Sequence, residues 1–125
     1  MTPGRQLAFL WGGAALACAA AAPFAPAFAS GMPACPFRAL LGVPCLTCGS
    51  TRALVALARL DPAAAFHWNP LAAGAGILFV AGGAVALAAA FFGSEVRAPR
   101  PTLLVRISLV AALAANWAFL VAVGR

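Results

Sequence analysis

The chain has almost no charge and little of what catalysis uses. Among its 125 residues there are two acids, one histidine and no lysine. Charged residues make up 8% of the sequence and apolar ones 65%, against about 25% and roughly 45–50% in soluble domains. So few polar side chains cannot cover a water-facing surface, which excludes a soluble globular fold. The two acids, Asp61 and Glu95, lie in different segments, so they offer no carboxylate pair for acid–base work. The single histidine, His67, has no nucleophile near it in sequence. A hydrolase is therefore not indicated. Transport is not indicated either, because the apolar runs carry no obvious intramembrane charge.

With no lysine, the net charge of +6 comes from arginine alone. The arginines are scattered and mostly flank apolar runs, the placement of topology signals and lipid-headgroup contacts. Scattered charge makes no stripe that could track a phosphate backbone, so no nucleic-acid partner is expected. The lipid bilayer is the expected partner.

What the chain has in excess is apolar length. Leu7–Phe28 contains no charge and runs for 22 residues, about 33 Å as a helix and enough for the hydrocarbon core. Pro23 and Pro26 in its last third predict a kink or an end. Ala27-Phe28-Ala29 before Ser30 also fits a cleaved secretory signal, although the apolar run exceeds the usual signal core. Asn69-Pro70 predicts a helix start, with asparagine as the cap and proline in the first turn. The second span is therefore expected over 70–92 and the third over 103–123. Gly13, Ala17 and Ala21 in the first span, and Gly82, Ala86 and Ala90 in the second, recur at four-residue spacing and offer faces for close helix approach. Arg106 lies one turn inside the third span and can snorkel to the interface; Asn116 lies deeper and is expected to hydrogen-bond another helix. The fold class is all-α: a small helical membrane protein, one domain, with three transmembrane helices. Arginines balance across the two sides, so they do not decide the orientation. A cytoplasmic N-terminus is the expected arrangement, with the central arginines held inside a folded segment on the opposite face.

That central segment, residues 35–69, holds Cys35, Cys45 and Cys48, the histidine, and Arg38, Arg52 and Arg59. Cys45-x-x-Cys48 is followed by Gly49, and Ser50 is a plausible cap for a short helix over 51–60. Ten residues cannot span a bilayer, so this helix lies at the interface. Arg52 and Arg59 are seven apart and share one of its faces. Asp61-Pro62 stops it and caps a further short turn reaching Trp68. Cys48 sits just before a helix N-terminus, where partial positive charge favours a thiolate. Three chemistries suit these thiols. One is a structural disulfide from Cys35 to Cys45 or Cys48. Another is a metal site of the three cysteines with His67 or water, matching zinc in ligand type. The last is thiol–disulfide exchange at Cys45 and Cys48, although the βαβ pattern usual for that chemistry is absent. Thr51, Arg52, Asp61 and Asn69 are candidates for contact with an anion or a protein partner, whether another membrane protein or a second copy of the chain. Cys18 lies mid-span and reads as a small buried hydrophobe.

Cys35-x₉-Cys45-x₂-Cys48-Gly49-x-Thr51-Arg52-Ala53, with Asp61 and Asn69-Pro70 beyond it, resembles the bacterial membrane-protein family called domain of unknown function 2752. The family pattern has a leading cysteine, C-P-G-C-G-x-T-R-A, a short helix ending near Gly-Asp, and N-P-L opening a membrane helix. This chain departs from it with Leu46-Thr47 in place of Pro-Gly and with Leu60 where glycine often precedes the aspartate. The resemblance implies a small helical inner-membrane protein and implies no activity.

Overall fold

A computed structural model describes residues 1–94 and 101–124. Glu95, Arg97, Arg100 and Arg125 lie outside the described residues. Within them the regular elements are all helical. In chain order they are α1 (Pro3–Ala21), a 3-10 turn (Ala22–Phe24), α2 (Ala25–Ser30), α3 (Pro36–Leu41), α4 (Ser50–Ala58), α5 (Pro62–Trp68), α6 (Pro70–Phe91) and α7 (Leu103–Ala122). Three stretches, Pro3–Ser30, Pro70–Phe91 and Leu103–Ala122, are long and apolar enough to cross a membrane. The first begins four residues earlier than the charge pattern suggests, because Pro3 starts the helix and Arg5 is carried inside its first turn. The prolines do not end it. Lacking an N–H, Pro23 tightens the chain into the 3-10 turn, after which the helix resumes.

α5 and α6 start where the sequence supplies side-chain caps, whereas α4 starts at Ser50 itself, after Gly49, with no side-chain cap. Asp61 Oδ1 accepts the Ala64 N–H at 2.9 Å, and Asn69 Oδ1 accepts the Ala72 N–H at 3.0 Å. Each is followed by proline in the first turn, where a missing N–H costs nothing. α4 ends in a Schellman turn: Leu60 N–H reaches Leu57 O at 2.9 Å and Asp61 N–H reaches Ala56 O at 2.9 Å. That turn needs a left-handed residue, and Leu60 fills it with φ +59° while 89% exposed. A non-glycine residue there costs about 1–2 kcal/mol. Leu60→Gly is therefore expected to raise the melting temperature in detergent by a few degrees; an unchanged or lower value would show that the leucine holds something worth more than the strain.

α1 and α6 run antiparallel in close contact. Ala8, Gly12 and Ala15 of α1 are buried against Gly83, Ala86 and Ala90 of α6. A Cβ on Gly12 would stand 2.6 Å from Leu87 Cβ and 3.0 Å from Gly83 O, so the two backbones touch there. Trp11 lies over Gly82, and its Nε1 donates to Phe79 O at 3.2 Å. At the far end Phe9 meets Phe91 edge to face at 5.6 Å, and Arg5 donates to Ala90 O at 3.3 Å, where a cation complements the C-terminal end of α6. The expected small face of α6 is thus the packed one. That of α1 is not: nothing lies within 4 Å of Gly13, and the seam is turned by one residue.

Candidate functional site

The other end of this helix pair carries a platform built from α3, α4, α5 and the loop between α3 and α4. Residues from α6 and α7 hold it. From below, Leu54 and Leu57 of α4 close onto Gly76 of α6, where any side chain would meet Leu57 at 2.9 Å. From α7, Trp117 Nε1 donates to Pro44 O at 3.1 Å, and Asn116 Nδ2 to Leu46 O at 3.4 Å. Asn116 is 5% exposed, and its Oδ1 takes the Leu71 N–H at 3.1 Å, one of the orphan donors at the start of α6. The amide expected to bridge helices does so, and it also supports the cysteine loop.

Asn69 is the centre of the arrangement. It is 1% exposed. While its oxygen caps α6, its Nδ2 donates to Cys48 O at 3.1 Å and reaches Ser50 Oγ at 3.3 Å. The side chain points inward and fastens the cysteine turn to the α5–α6 junction. Gly49 permits this approach. It has φ +80°, and a Cβ there would stand 2.9 Å from Trp68 O.

On this base the three thiols converge. Cys48 N–H donates to Cys45 O at 3.0 Å, a tight turn that forms with Leu46-Thr47 between the two cysteines. Cys35, at the cap position of α3, brings its Sγ to 3.3 Å from Cys45 Sγ. The Sγ atoms of Cys35, Cys45 and Cys48 all lie within 4.8 Å of one another. All three residues are half-buried and none is in a disulfide. The thiols are not equivalent. The Thr47 hydroxyl, 3.4 Å from Cys45 Sγ, and the neighbouring Cys35 hold Cys45 below the usual thiol range. Burial, helped by the nearby Cys45 and Cys35, pushes Cys48 above it. The helix-end argument pointed to Cys48 as the thiolate; desolvation outweighs it, and the easily ionised thiol is Cys45.

His67 is exposed on α5, edge-on to Trp68 at 6.4 Å, and does not join the thiol cluster. Cys18 is exposed on the outer side of α1, not buried in it. Thr51, Arg52 and Asp61 line an open cleft of about 1130 Å³ that also reaches the three cysteines. Thr51 Oγ1 lies 3.4 Å from Met32 Sδ, and the Arg52 guanidinium sits 4.7 Å above the Trp68 ring. Sequence reading missed Trp117, Met32 and the second role of Asn116. An amide deep in a span beside a tryptophan was the available signal, but the loop carbonyls they reach lie 70 residues from Asn116 and 73 from Trp117.

Residues 35–83 match the family described as a protein of unknown function (DUF2752). The match covers the platform and α6 as far as Gly83. No curated protein and no solved structure matches the chain.

Proposed function

We propose that this is a non-enzymatic membrane protein in which Cys35, Cys45 and Cys48 hold one thiophilic metal ion, zinc by ligand type, as a structural staple. The ion ties α3 to the turn before α4 and so presents the face of α4 bearing Thr51 and Arg52, with Asp61 beyond its end, in the open cleft. In this reading the N-terminus is cytoplasmic and the platform lies on the opposite face of the cytoplasmic membrane.

The convergence of three Sγ atoms within 4.8 Å carries the proposal. Thiolates about 2.3 Å from a tetrahedral ion stand roughly 3.8 Å apart. The spacing found here brackets that value, from 3.3 Å for Cys35–Cys45 up to the 4.8 Å limit. Sulfur ligands select soft or borderline ions, and the fourth position is left to water from the cleft. Because the ligands come from two separated stretches of chain, the ion contributes to folding of the platform.

A second reading rests on the lowered Cys45 thiol at the cleft. Its thiolate would attack a substrate disulfide and release one substrate thiolate. Cys48 would then displace the other, leaving a Cys45–Cys48 disulfide and a reduced substrate. Cobalt titration of the reduced, chelator-treated full-length protein separates the two. The metal reading expects one cobalt per chain, thiolate-to-metal charge-transfer absorption, and displacement by zinc. The signal should vanish in Cys45→Ser and persist in Cys18→Ser and His67→Ala. No absorption by the wild-type protein sinks it, and a mixed disulfide trapped by Cys48→Ser puts exchange in its place.

A further inference from the structure

Arginines scattered along the sequence are gathered by the fold. Arg38 of α3, Arg52 of α4 and Arg59 at the α4 cap all line the cleft, with Asp61 as the one acid on its wall among the described residues. Two of the three are held in place. Arg38 donates to Gly124 O at 3.1 Å, and Arg52 rests on Trp68 at 4.7 Å. Arg59 is exposed. Like charges held in one concavity repel, and they raise the local concentration of anions. Asp61 offsets only part of this charge, and its Oδ1 is already engaged by the Ala64 N–H.

Besides the thiols and the Ser30, Thr47 and Thr51 hydroxyls, the lining has an apolar part. Pro26, Ala29, Met32 and Pro33, from α2 and the linker after it, face Val55 and Trp68. This wall continues the first apolar span, which ends at Ser30, and the cleft stands beside the start of the second at Pro70. One concavity therefore joins a cationic side to an apolar side at the level where two spans meet water. Its volume of about 1130 Å³ exceeds what one inorganic anion needs, and lies above the usual range of roughly 300–1,000 Å³ for small-molecule pockets. From this juxtaposition we infer that the cleft binds the headgroup of an anionic phospholipid. The phosphodiester lies against Arg52 and Arg59, and the glycerol and upper acyl chains lie along the wall from Pro26 to Pro33. The headgroup is drawn from the surrounding bilayer, so the site is filled from the membrane side. The inference goes beyond the metal reading and does not rest on it, because Trp68 positions Arg52 and Gly124 holds Arg38, while Arg59 stands at the end of α4 away from the cysteine loop.

The test uses the full-length protein in neutral detergent, titrated with dihexanoyl phosphatidylglycerol and followed by native mass spectrometry. One saturable lipid is expected per chain, with phosphatidylcholine at least about tenfold weaker, since its choline cation offsets the phosphate. Loss of one charge-assisted contact is worth about a factor of ten. Arg59→Gln should weaken phosphatidylglycerol about tenfold and the Arg52→Gln/Arg59→Gln pair about a hundredfold. Arg59→Lys should recover most of the single loss, and Arg106→Gln on α7 should change nothing. Equal binding by the double variant and the wild type overturns the site, as does equal binding of the two lipids. Inorganic phosphate that displaces the lipid at equal concentration, with the same arginine dependence, overturns the lipid assignment in favour of a free anion. A melting curve for each variant, with Arg59→Lys as the conservative member, keeps misfolding from imitating the expected loss.

Discussion

Asn69→Leu is expected to lower stability by about 3 kcal/mol and to free the cysteine turn from the helices beneath it. The side chain is 1% exposed and serves three partners: the Ala72 N–H, the Cys48 carbonyl and the Ser50 hydroxyl. Leucine fills a similar volume, so little of the loss comes from a cavity. It comes from the partners, each left without its hydrogen bond where water has poor access, at about 1 kcal/mol apiece. The two ends of the amide can be separated. Asn69→Asp keeps an acceptor for the start of α6, where negative charge is also welcome. It replaces the donor with a second oxygen facing the Cys48 carbonyl, so the clasp is lost and the cap survives. Thermal melting in detergent should place Asn69→Asp between wild type and Asn69→Leu. Maleimide labelling of the metal-free protein should speed up at Cys48 in both variants, because its burial depends on the clasp. A leucine variant that melts like wild type and labels no faster would mean that Trp117 and Asn116 alone hold the loop.

The same residue shows how far the sequence could be read. Asn69-Pro70 announced a helix start, since both residues act within four positions of themselves, and Asp61-Pro62 did likewise. The first two spans were readable because 22 consecutive uncharged, mostly apolar residues are stable in lipid and costly to expose to water, and the third because its single charge, Arg106, lies near its end. The cysteines were readable as chemistry, because three thiols in a chain so poor in polar groups stand out. What they do was not, since it depends on Sγ separations set by contacts far along the chain. The second role of Asn69, its donation to Cys48 O, spans 21 residues and leaves no local pattern. Leu60 is a partial exception. The resemblance leads one to expect glycine there, and the left-handed φ of +59° is a conformation that favours glycine.

The rotation of α1 was the least readable feature. A helix shows its buried face by a contrast between large and small or apolar and polar residues, and α1 is alanine-rich on every side. Both candidate faces contain small residues at three- or four-residue spacing, and the chain alone gives no ground for preferring Ala8/Gly12/Ala15 over Gly13/Ala17/Ala21. The structure decides it through Trp11, whose ring covers Gly82 and whose Nε1 finds the Phe79 carbonyl. Large side chains beside the seam, rather than the small ones in it, set the register.

Gly83→Leu is accordingly expected to cost about 3 kcal/mol, near the upper end of what overpacking costs. An ideal Cβ at Gly83 already overlaps Ala15 Cβ and stands 3.3 Å from Trp11 O. The obstacle on the α1 side includes backbone, which cannot swing away as a flexible side chain can, so the helices must separate. Separation has further consequences, because the Trp11–Phe79 hydrogen bond and the Arg5–Ala90 contact span the same interface. In a bilayer lipid can fill the gap, so no hydrophobic penalty opposes the parting; the loss is of packing and hydrogen bonds. Gly13→Leu is the matched control, on the facing helix α1 beside the buried Gly12, with nothing within 4 Å of its Cβ. Melting in detergent, and quenching by brominated lipid of a variant retaining Trp11 as its one tryptophan, should separate the two. Gly83→Leu melts well below wild type and exposes Trp11 to lipid, and Gly13→Leu does neither. Equal effects of the two leucines would mean that α1 turns freely against α6, and that the seam is one of several packings of nearly equal energy.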